Sequence, residues 1–496
     1  MNQIRILIIG AGPTGLVLAI CLTRLGIPVR IVDKEMLPGT TSRALVLHAR
    51  TLEFYEQLGI ASKIIEQGLK FSAANLWVHG HKKAHIKLGD IGVGLSPFPY
   101  MIIFPQDEHE ALLIEELKNM GVQVQRGIEC LSFEQNHKLS VKLKHPDGSE
   151  EICETLYLAG CDGARSQVRQ TSKMDFQGST YSQYFYVADV QAEGINTNQQ
   201  LHLSLDEADF LAIFPLKQKN HARLIGVIKE ETKEKDHHFT WDDVKHQALG
   251  RLDLKIKSIK WFSSYRVHHR LAEGFRDKNV FLLGDAAHIH SPVGGQGMNT
   301  GIGDAVNLAW KIAAVIKKEA HETILDSYEL ERMAFAKRLV ATTDRAFTLI
   351  SSTGPLANFI RLNITPPLLS FLTKFKFVRL LIFKTLSQIS INYRMSFLSE
   401  GKAGKIHAGD RMPWDEKLKE TLPLKWNARL YGEASNQLIE YCRNNSLPLK
   451  RLPWRKELSK YGFVKDCLYL IRPDGYIGLV DLQANPNNIQ QYYKNK

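Results

Sequence analysis

The opening of the chain constrains its fold more than any other stretch. Residues 3–9 (QIRILII) are an unbroken apolar run that stops at Gly10, the pattern of a strand buried on both faces of a parallel sheet. LVLAICLTRLG follows at helical length, closed by Gly26, and PVRIVD then reads as a second short strand. Between strand and helix stands Gly10-Ala11-Gly12-Pro13-Thr14-Gly15. Gly10 permits a tight turn, Gly12 lets backbone approach a pyrophosphate, and Gly15 allows close helix–strand packing. The helix N-terminus then offers free N–H groups and partial positive charge to phosphates. Asp33 lies 23 residues after Gly10, at the end of the second strand, where a carboxylate can accept hydrogen bonds from ribose hydroxyls, with Lys34 beside it. Strand, glycine turn, helix and acid together predict a dinucleotide site.

The rest of the chain divides by pattern. Gln106–Met120 carries apolar residues at helical spacing, and the stretch from 130 to about 155 alternates around Pro146-Asp147-Gly148, predicting a β-hairpin. From about 175 to 270 aromatic and β-branched residues dominate, predicting a mostly antiparallel sheet inserted into the first domain. NVFLLGD (279–285) returns to the buried-strand style, and a long helix is expected from about Asn299 through Lys317. Residues 356–390 are apolar but interrupted by Pro366, Pro367, Lys374, Lys376, Arg379 and Lys384. A pair of packed helices is the expectation there, ahead of a basic amphipathic membrane-surface segment, and those charges argue against a span. From Gly401 a third composition begins, ending in the strand pair LYLIRPDGYIGLVD.

Composition narrows the functional classes. With 44% hydrophobic and 23% charged residues over 496 positions, the chain can bury substantial cores. The net charge of +12 favours anionic ligands, but Lys and Arg are scattered, and nothing beyond that charge speaks for nucleic acid. The six cysteines are far apart with no C-x-x-C, so reduced thiols, no metal site and a cytosolic location are expected. The N-terminal apolar run is too short and wrongly flanked for a signal peptide or membrane span.

A second motif says which dinucleotide. Gly284-Asp285-Ala286-Ala287-His288 ends a buried strand, and Ser291-Pro292-Val293-Gly294-Gly295-Gln296-Gly297-Met298-Asn299 opens the long helix. A carboxylate at a strand end can hold ribityl hydroxyls, and a glycine-rich helix start can bring N–H groups to a flavin's carbonyl edge. A nicotinamide dinucleotide has no ribityl chain for Asp285. His288 by itself reads as a packing or capping residue.

GAGPTG, LAGCDGARSQVR (158–169) and FLLGDAAHIHSPVGGQGMNTGIGDAVNLAWKIA (281–313), continued by ILDSYELERM (324–333), together resemble the FAD-dependent aromatic-ring monooxygenases of the p-hydroxybenzoate and phenol hydroxylase type, over about residues 1–400. The resemblance implies an α/β chain: a Rossmann-type FAD-binding domain (parts about 1–70, 100–175 and 275–345), an inserted, mainly antiparallel substrate sheet (about 70–100 and 176–274) and a helical segment (about 346–400). Residues 401–496 more loosely resemble the thioredoxin-like C-terminal domain of phenol-hydroxylase-type members. It further implies FAD contacts from Gly10, Gly12, Pro13, Thr14, Gly15, Asp33, Lys34, Arg43, Gln106, Asp162, Asp285, Pro292, Gly295, Gly297, Met298 and Asn299. Asp162, Arg165 and Arg169 are the candidates for helping NADPH or NADH bind. No second glycine fingerprint exists for that reductant.

The implied reaction is hydride transfer to FAD, O₂ capture as a hydroperoxide at flavin carbon 4a, and oxygen transfer to a phenolic or polycyclic aromatic ring. Tyr184, His202, Phe210 and Phe214, with Tyr181 and Tyr186, are candidates for the substrate wall in the inserted sheet; the catalytic base is not identified. An FAD-dependent reductase without oxygen insertion, or an FAD-binding protein without turnover, remains the alternative. The halogenase pattern W-x-W-x-I-P is absent. Cys442 and Cys467 are too far apart to suggest a redox pair, and the oligomeric state, a homodimer included, stays open.

Overall fold

The computed structural model describes residues 4–39, 44–194, 199–205, 210–228, 239–244, 247–292, 294–351, 354–418 and 420–496. Its first layer is a six-stranded sheet. Ile6–Ile9 lies at the centre, parallel to Val29–Asp33 on one side and Tyr157–Gly160 on the other. Val124–Arg126 extends it beyond Val29–Asp33, while Val280–Leu282 and then the antiparallel edge Arg276–Asp277 extend it beyond Tyr157–Gly160. All four residues of Ile6–Ile9 are buried, as an uninterrupted apolar run in a covered parallel sheet requires. Pro13–Arg24 packs over the sheet against the long helix Gly297–Ile316 and against Gln106–Asn119, with Leu16 through Leu22 fully buried. Proline at the first helical position suits a residue whose N–H would have no partner there.

The second layer is an eight-stranded sheet in the order His288–Ile289, Lys255–Ala272, Phe176–Glu193, His221–Ile228, Phe210–Pro215, Gln200–Leu205, Ala73–Val78 and His81–Lys87. Every neighbour pair is antiparallel except Gln200–Leu205 with Ala73–Val78. One face packs on Val244, Leu249, Leu252 and Leu254. The other faces the first layer. The expected hairpin at residues 130–155 is part of a separate three-stranded meander, Glu129–Gln135, Leu139–Lys144 and Glu150–Thr155.

After the helix Asp326–Ser351 come Pro355–Phe359, Thr365–Leu372 and Lys376–Leu386, so the interrupted apolar stretch is helical, in three helices where a packed pair is expected, and much of its apolar surface stays exposed. The last segment forms a four-stranded sheet in which Asn427–Tyr431 is parallel to Leu449–Leu452 and antiparallel to Leu468–Ile471, which pairs with Ile477–Asp481. Helices Asn436–Asn444 and Pro486–Lys494 cover it, a thioredoxin-like arrangement. Cys442 and Cys467 are both buried, and burial pushes each thiol up to about 11, so neither supplies a thiolate for exchange.

The turn Arg472-Pro473-Asp474-Gly475 ties this tail to the first layer through a fully buried charge network. Arg472 donates to both oxygens of Glu331 (2.7 and 2.8 Å) and to Asp474 (2.6 Å). Lys311 donates to Glu331 (2.8 Å), Trp310 donates to Asp474 (3.2 Å), and Arg50 donates to the Asp474 carbonyl (2.6 Å).

Candidate cofactor and substrate cavity

Between the two layers lies a cavity of about 1600 Å³. It opens at the C-terminal ends of the central parallel strands, where open α/β sheets place their ligands. Gly12, Pro13 and Thr14 form one wall, Asp285 with residues 290–292 and 294–298 another. The inserted sheet supplies Phe185, Leu203, Phe210, Phe214, Val227 and Tyr265, and Leu369 and Leu386 of the helical segment close the remaining side.

The glycine turn is built by backbone contact. Gly10 has φ +102°, and a Cβ there would stand 2.3 Å from the Cys161 carbonyl oxygen. A Cβ on Gly15 would lie 2.0 Å from the Gly10 carbonyl oxygen, so the helix can start this close to the strand only with glycine. At Gly12 the same test meets nothing within 4 Å, which makes it the point where the turn opens to the cavity. Asp33 holds this turn from inside: its carboxylate accepts from Ala11 N–H (2.6 Å) and Glu35 N–H (2.9 Å). Lys34 is exposed and does not line the cavity. Gln106 does line it, with its amide donating to Glu110 (2.7 Å). Arg43 lies outside the described residues.

Asp285 stands exposed at the strand end, on the cavity wall. Its position depends on Asp304, a residue the motif reading did not single out. One Asp304 oxygen accepts from Gly284 N–H (3.0 Å) and from His288 Nε2 (2.8 Å), and the other accepts from Arg332 (2.6 Å). Burial alone would raise the Asp304 carboxyl, but Arg332 and His288 outweigh it and hold the pKa below the usual range. His288 is thus a buried packing residue that helps fix the turn.

The glycine loop is fastened from behind. Asn299 donates to the Val46 and Gly295 carbonyls (2.8 and 2.9 Å) and accepts from His48 N–H and Thr51 Oγ1 (2.9 and 2.7 Å). Its side chain is therefore spent within the protein, whereas Pro292, Gly295, Gly297 and Met298 line the cavity. His48 Nε2 donates to the Gly294 carbonyl (2.9 Å), and burial lowers that imidazole to about 4, so it stays neutral. Gln388 donates to Gln296 (2.6 Å), which donates to the Leu386 carbonyl (2.8 Å). Gly294 and Gly295 have φ +80° and +62°, the left-handed backbone this turn needs.

One imidazole on the cavity wall keeps an unused nitrogen. His290 Nδ1 donates to the Ser291 carbonyl (2.8 Å), leaving Nε2 buried without a hydrogen bond, beside Gly297. Burial lowers its pKa to about 4, so Nε2 is a neutral acceptor.

The Asp-Gly motif has a different geometry from the expectation. Asp162 accepts from the N–H groups of Gln167 and Val168 (2.7 and 3.1 Å), capping the short helix Gln167–Thr171, and burial raises its pKa. Arg169 donates to the carbonyls of Ala286 and Ala164 (2.8 and 2.9 Å), with its guanidinium 3.8 Å from the Phe176 ring centroid. It is a buried brace between this motif and the Asp285 turn, while Arg165 is exposed.

Three of the substrate candidates point elsewhere. Tyr184 packs into the cluster on the far face of the inserted sheet, 4.7 Å from Phe239, and Tyr186 stacks there on Phe262. His202 is buried and accepts from Trp77 Nε1 (3.1 Å). None of these three lines the cavity. The period of two in strand side-chain direction explains it: Phe210 and Phe214 face inward, as do Leu201, Leu203 and Leu205, so His202 must face out.

A family model described as FAD binding domain matches residues 3–343. The chain is 30% identical over 500 residues to a flavin-dependent monooxygenase of Mycobacteroides abscessus, covering 96% of both chains. It is 32% identical over 513 residues to the 6-methylpretetramide 4-monooxygenase of Streptomyces rimosus, covering 95% of this chain and 90% of that one. The solved structure of an anhydrotetracycline hydroxylase from Streptomyces rimosus matches at TM-score 0.79 and 25% identity, covering 99% of this chain and 98% of that one.

Proposed function

The chain belongs to the FAD-dependent aromatic monooxygenases, and on that premise we propose that the cavity seats FAD with its adenine end toward the glycine turn and its ring end between the Pro292–Asn299 loop and the inserted sheet. The residues present fit the group. Gly12 leaves open room where a pyrophosphate would approach, the helix N-terminus points at it, and Asp285 offers a carboxylate on the same wall. When bound, FAD supplies the redox chemistry by which electrons from NADPH or NADH activate O₂ for insertion into an aromatic ring. In this reading Asp285 hydrogen-bonds the ribityl hydroxyls, and Asp33 acts by shaping the turn. Arg165, exposed in the Asp-Gly motif, is the arginine positioned for the reduced pyridine nucleotide.

The observation that carries the substrate reading is the lining of the cavity. Its roughly 1600 Å³ has to hold FAD together with the substrate, and beyond the residues assigned to FAD the inserted sheet lines it with aliphatic and aromatic side chains. The substrate proposed is a phenol or a fused polycyclic aromatic. Phe185, Phe210, Phe214 and Tyr265 orient its rings and exclude water, and His290 Nε2 accepts a hydrogen bond from a donor such as a phenolic hydroxyl. Screening phenols, naphthols and fused-ring polyketides for substrate-stimulated NADPH or NADH oxidation, with mass analysis for a product that gains one oxygen atom, tests this reading. Oxidation that yields peroxide with every aromatic and no oxygenated product would refute it.

Asp285→Ala is expected to lower FAD affinity about ten- to a hundredfold, the loss of a charge-assisted hydrogen bond worth roughly 1.5–3 kcal/mol. Titrating apoprotein with FAD by fluorescence measures it. Affinity equal to that of the unsubstituted chain would remove Asp285 from the site.

A further inference from the structure

The helical segment presents an outer surface that the cavity does not account for. Its inner side chains, Leu369 and Leu386, close the cavity. On the outside, Leu356 is 72% exposed, Phe377 69%, Phe359 56%, Phe371 55% and Leu368 50%. Phe371, Phe375 and Phe377 gather at the turn between Thr365–Leu372 and Lys376–Leu386, with successive ring centroids 5.3 and 6.0 Å apart. So many large apolar side chains on one short stretch mark an interaction surface.

Charge identifies its partner. From Arg345 to Ser399 the sequence contains no Asp or Glu, while Lys374, Lys376 and Lys384 stand exposed among the apolar residues. A second copy of the chain would bring the same lysines against themselves in a two-fold interface, with no acid on this segment to neutralise them. Anionic headgroups would neutralise them, and phenylalanine and leucine flanked by lysine is the pattern of helices that lie in a bilayer's interface. Among the described residues no helix is long and apolar enough to cross a membrane, so the segment could only lie on one.

We propose that the outer face of Pro355–Leu386 seats this protein on an anionic lipid bilayer, with the phenylalanine turn inserted at the headgroup boundary and the lysines against the phosphates. The proposal does not depend on the substrate assigned to the cavity.

The test is flotation of the full-length, FAD-loaded protein with vesicles of phosphatidylcholine alone and of phosphatidylcholine mixed with phosphatidylglycerol. Binding to the mixed vesicles, weakened by added salt, is the expected result. Lys374→Glu with Lys376→Glu should weaken it about tenfold or more, from roughly 1 kcal/mol per basic residue at an anionic surface. Phe371→Ser with Phe377→Ser should weaken it through lost apolar insertion. All four side chains are exposed, so retained FAD and an unchanged melting temperature establish that the variants are folded. No binding to anionic vesicles, or binding that neither pair of substitutions alters, overturns the proposal. So does a monomer–dimer equilibrium in lipid-free solution that the phenylalanine substitutions abolish, because the face would then be a self-interface.

Discussion

Gly15→Ala is expected to purify without bound flavin and in reduced soluble yield. The added methyl would stand 2.0 Å from the Gly10 carbonyl oxygen, and the obstacle is backbone, which cannot rotate aside. Either the helix Pro13–Arg24 moves off Ile6–Ile9 or the turn is rebuilt, and both of its neighbours are fully packed. Overpacking of this kind costs about 1–3 kcal/mol when side chains can adjust, so the upper end is the minimum here, equivalent to a hundredfold or more in affinity if taken entirely from binding. Gly12→Ala separates the site from the scaffold. Its backbone, φ −74° and ψ 179°, suits alanine, and nothing in the protein lies within 4 Å of the new methyl. That variant should melt normally yet bind FAD weakly, because the methyl occupies room assigned to the pyrophosphate. Normal FAD affinity in Gly12→Ala would move the phosphates away from this turn, and a normally flavinated Gly15→Ala would mean the contact relaxes cheaply.

Glu331→Ala should be the most destabilising single side-chain deletion. Glu331 is fully buried between Arg472 and Lys311, and removing it leaves Lys311 without a carboxylate partner and Arg472 with Asp474 alone. Breaking such a pair costs about 3–5 kcal/mol, chiefly because a charge is left buried and uncompensated. Burial by itself would raise the Glu331 carboxyl, but Arg472 and Lys311 outweigh it and hold the pKa far below the usual carboxylate range. A carboxyl depressed on folding stabilises the native state above its unfolded pKa and loses that stabilisation as pH falls toward the folded value, so the native protein should weaken progressively below about pH 4.5. Urea denaturation at pH 7 measures the first effect. Combining Glu331→Met with Lys311→Met removes one charge of each sign and keeps the Arg472–Asp474 pair, so it should recover part of the loss. A double variant as unstable as Glu331→Ala would show that packing, and not the unpaired charge, sets the cost.

What the sequence makes legible here is local. Gly10 through Gly15 sit within six residues, and the strand before and helix after them are fixed by their own apolar runs. Asp285 and the glycine loop are legible for the same reason. The loop's fasteners are not: His48 and Gln388 reach it from 246 and 92 positions away, and neither stands in a motif. Asp304 was hidden because a charged residue on a helix reads as solvated unless its partners, here Gly284, His288 and Arg332, are known. In the inserted sheet, alternation shows that two faces exist without saying which meets the cavity. Both faces are covered, so Phe210 and Phe214 fall on the cavity side while Tyr184 and His202 do not. The irregular register between Thr180 and Tyr184 further defeats counting along that strand. Arg169, a candidate by its motif for the reduced pyridine nucleotide, has its guanidinium held by the Ala286 and Ala164 carbonyls, contacts no motif discloses.

The buried turn Arg472–Gly475 also bears on how such a chain can change over generations. Loss of the tail by truncation would strand Glu331 and Lys311 at a newly wetted surface without Arg472, and would bare Trp310, which now meets Trp426 edge to face at 5.6 Å. A shortened descendant has to acquire compensating substitutions at several of these positions before the deletion is tolerated, each passing through a less stable ancestor. The attachment therefore works as an evolutionary ratchet: the tail's outer surface can drift freely while the possession of a tail is locked in. Homologues that lack the segment should carry apolar or charge-neutral residues where this chain has Lys311 and Glu331, and tailless homologues that retain the ion pair would show that the lock does not hold.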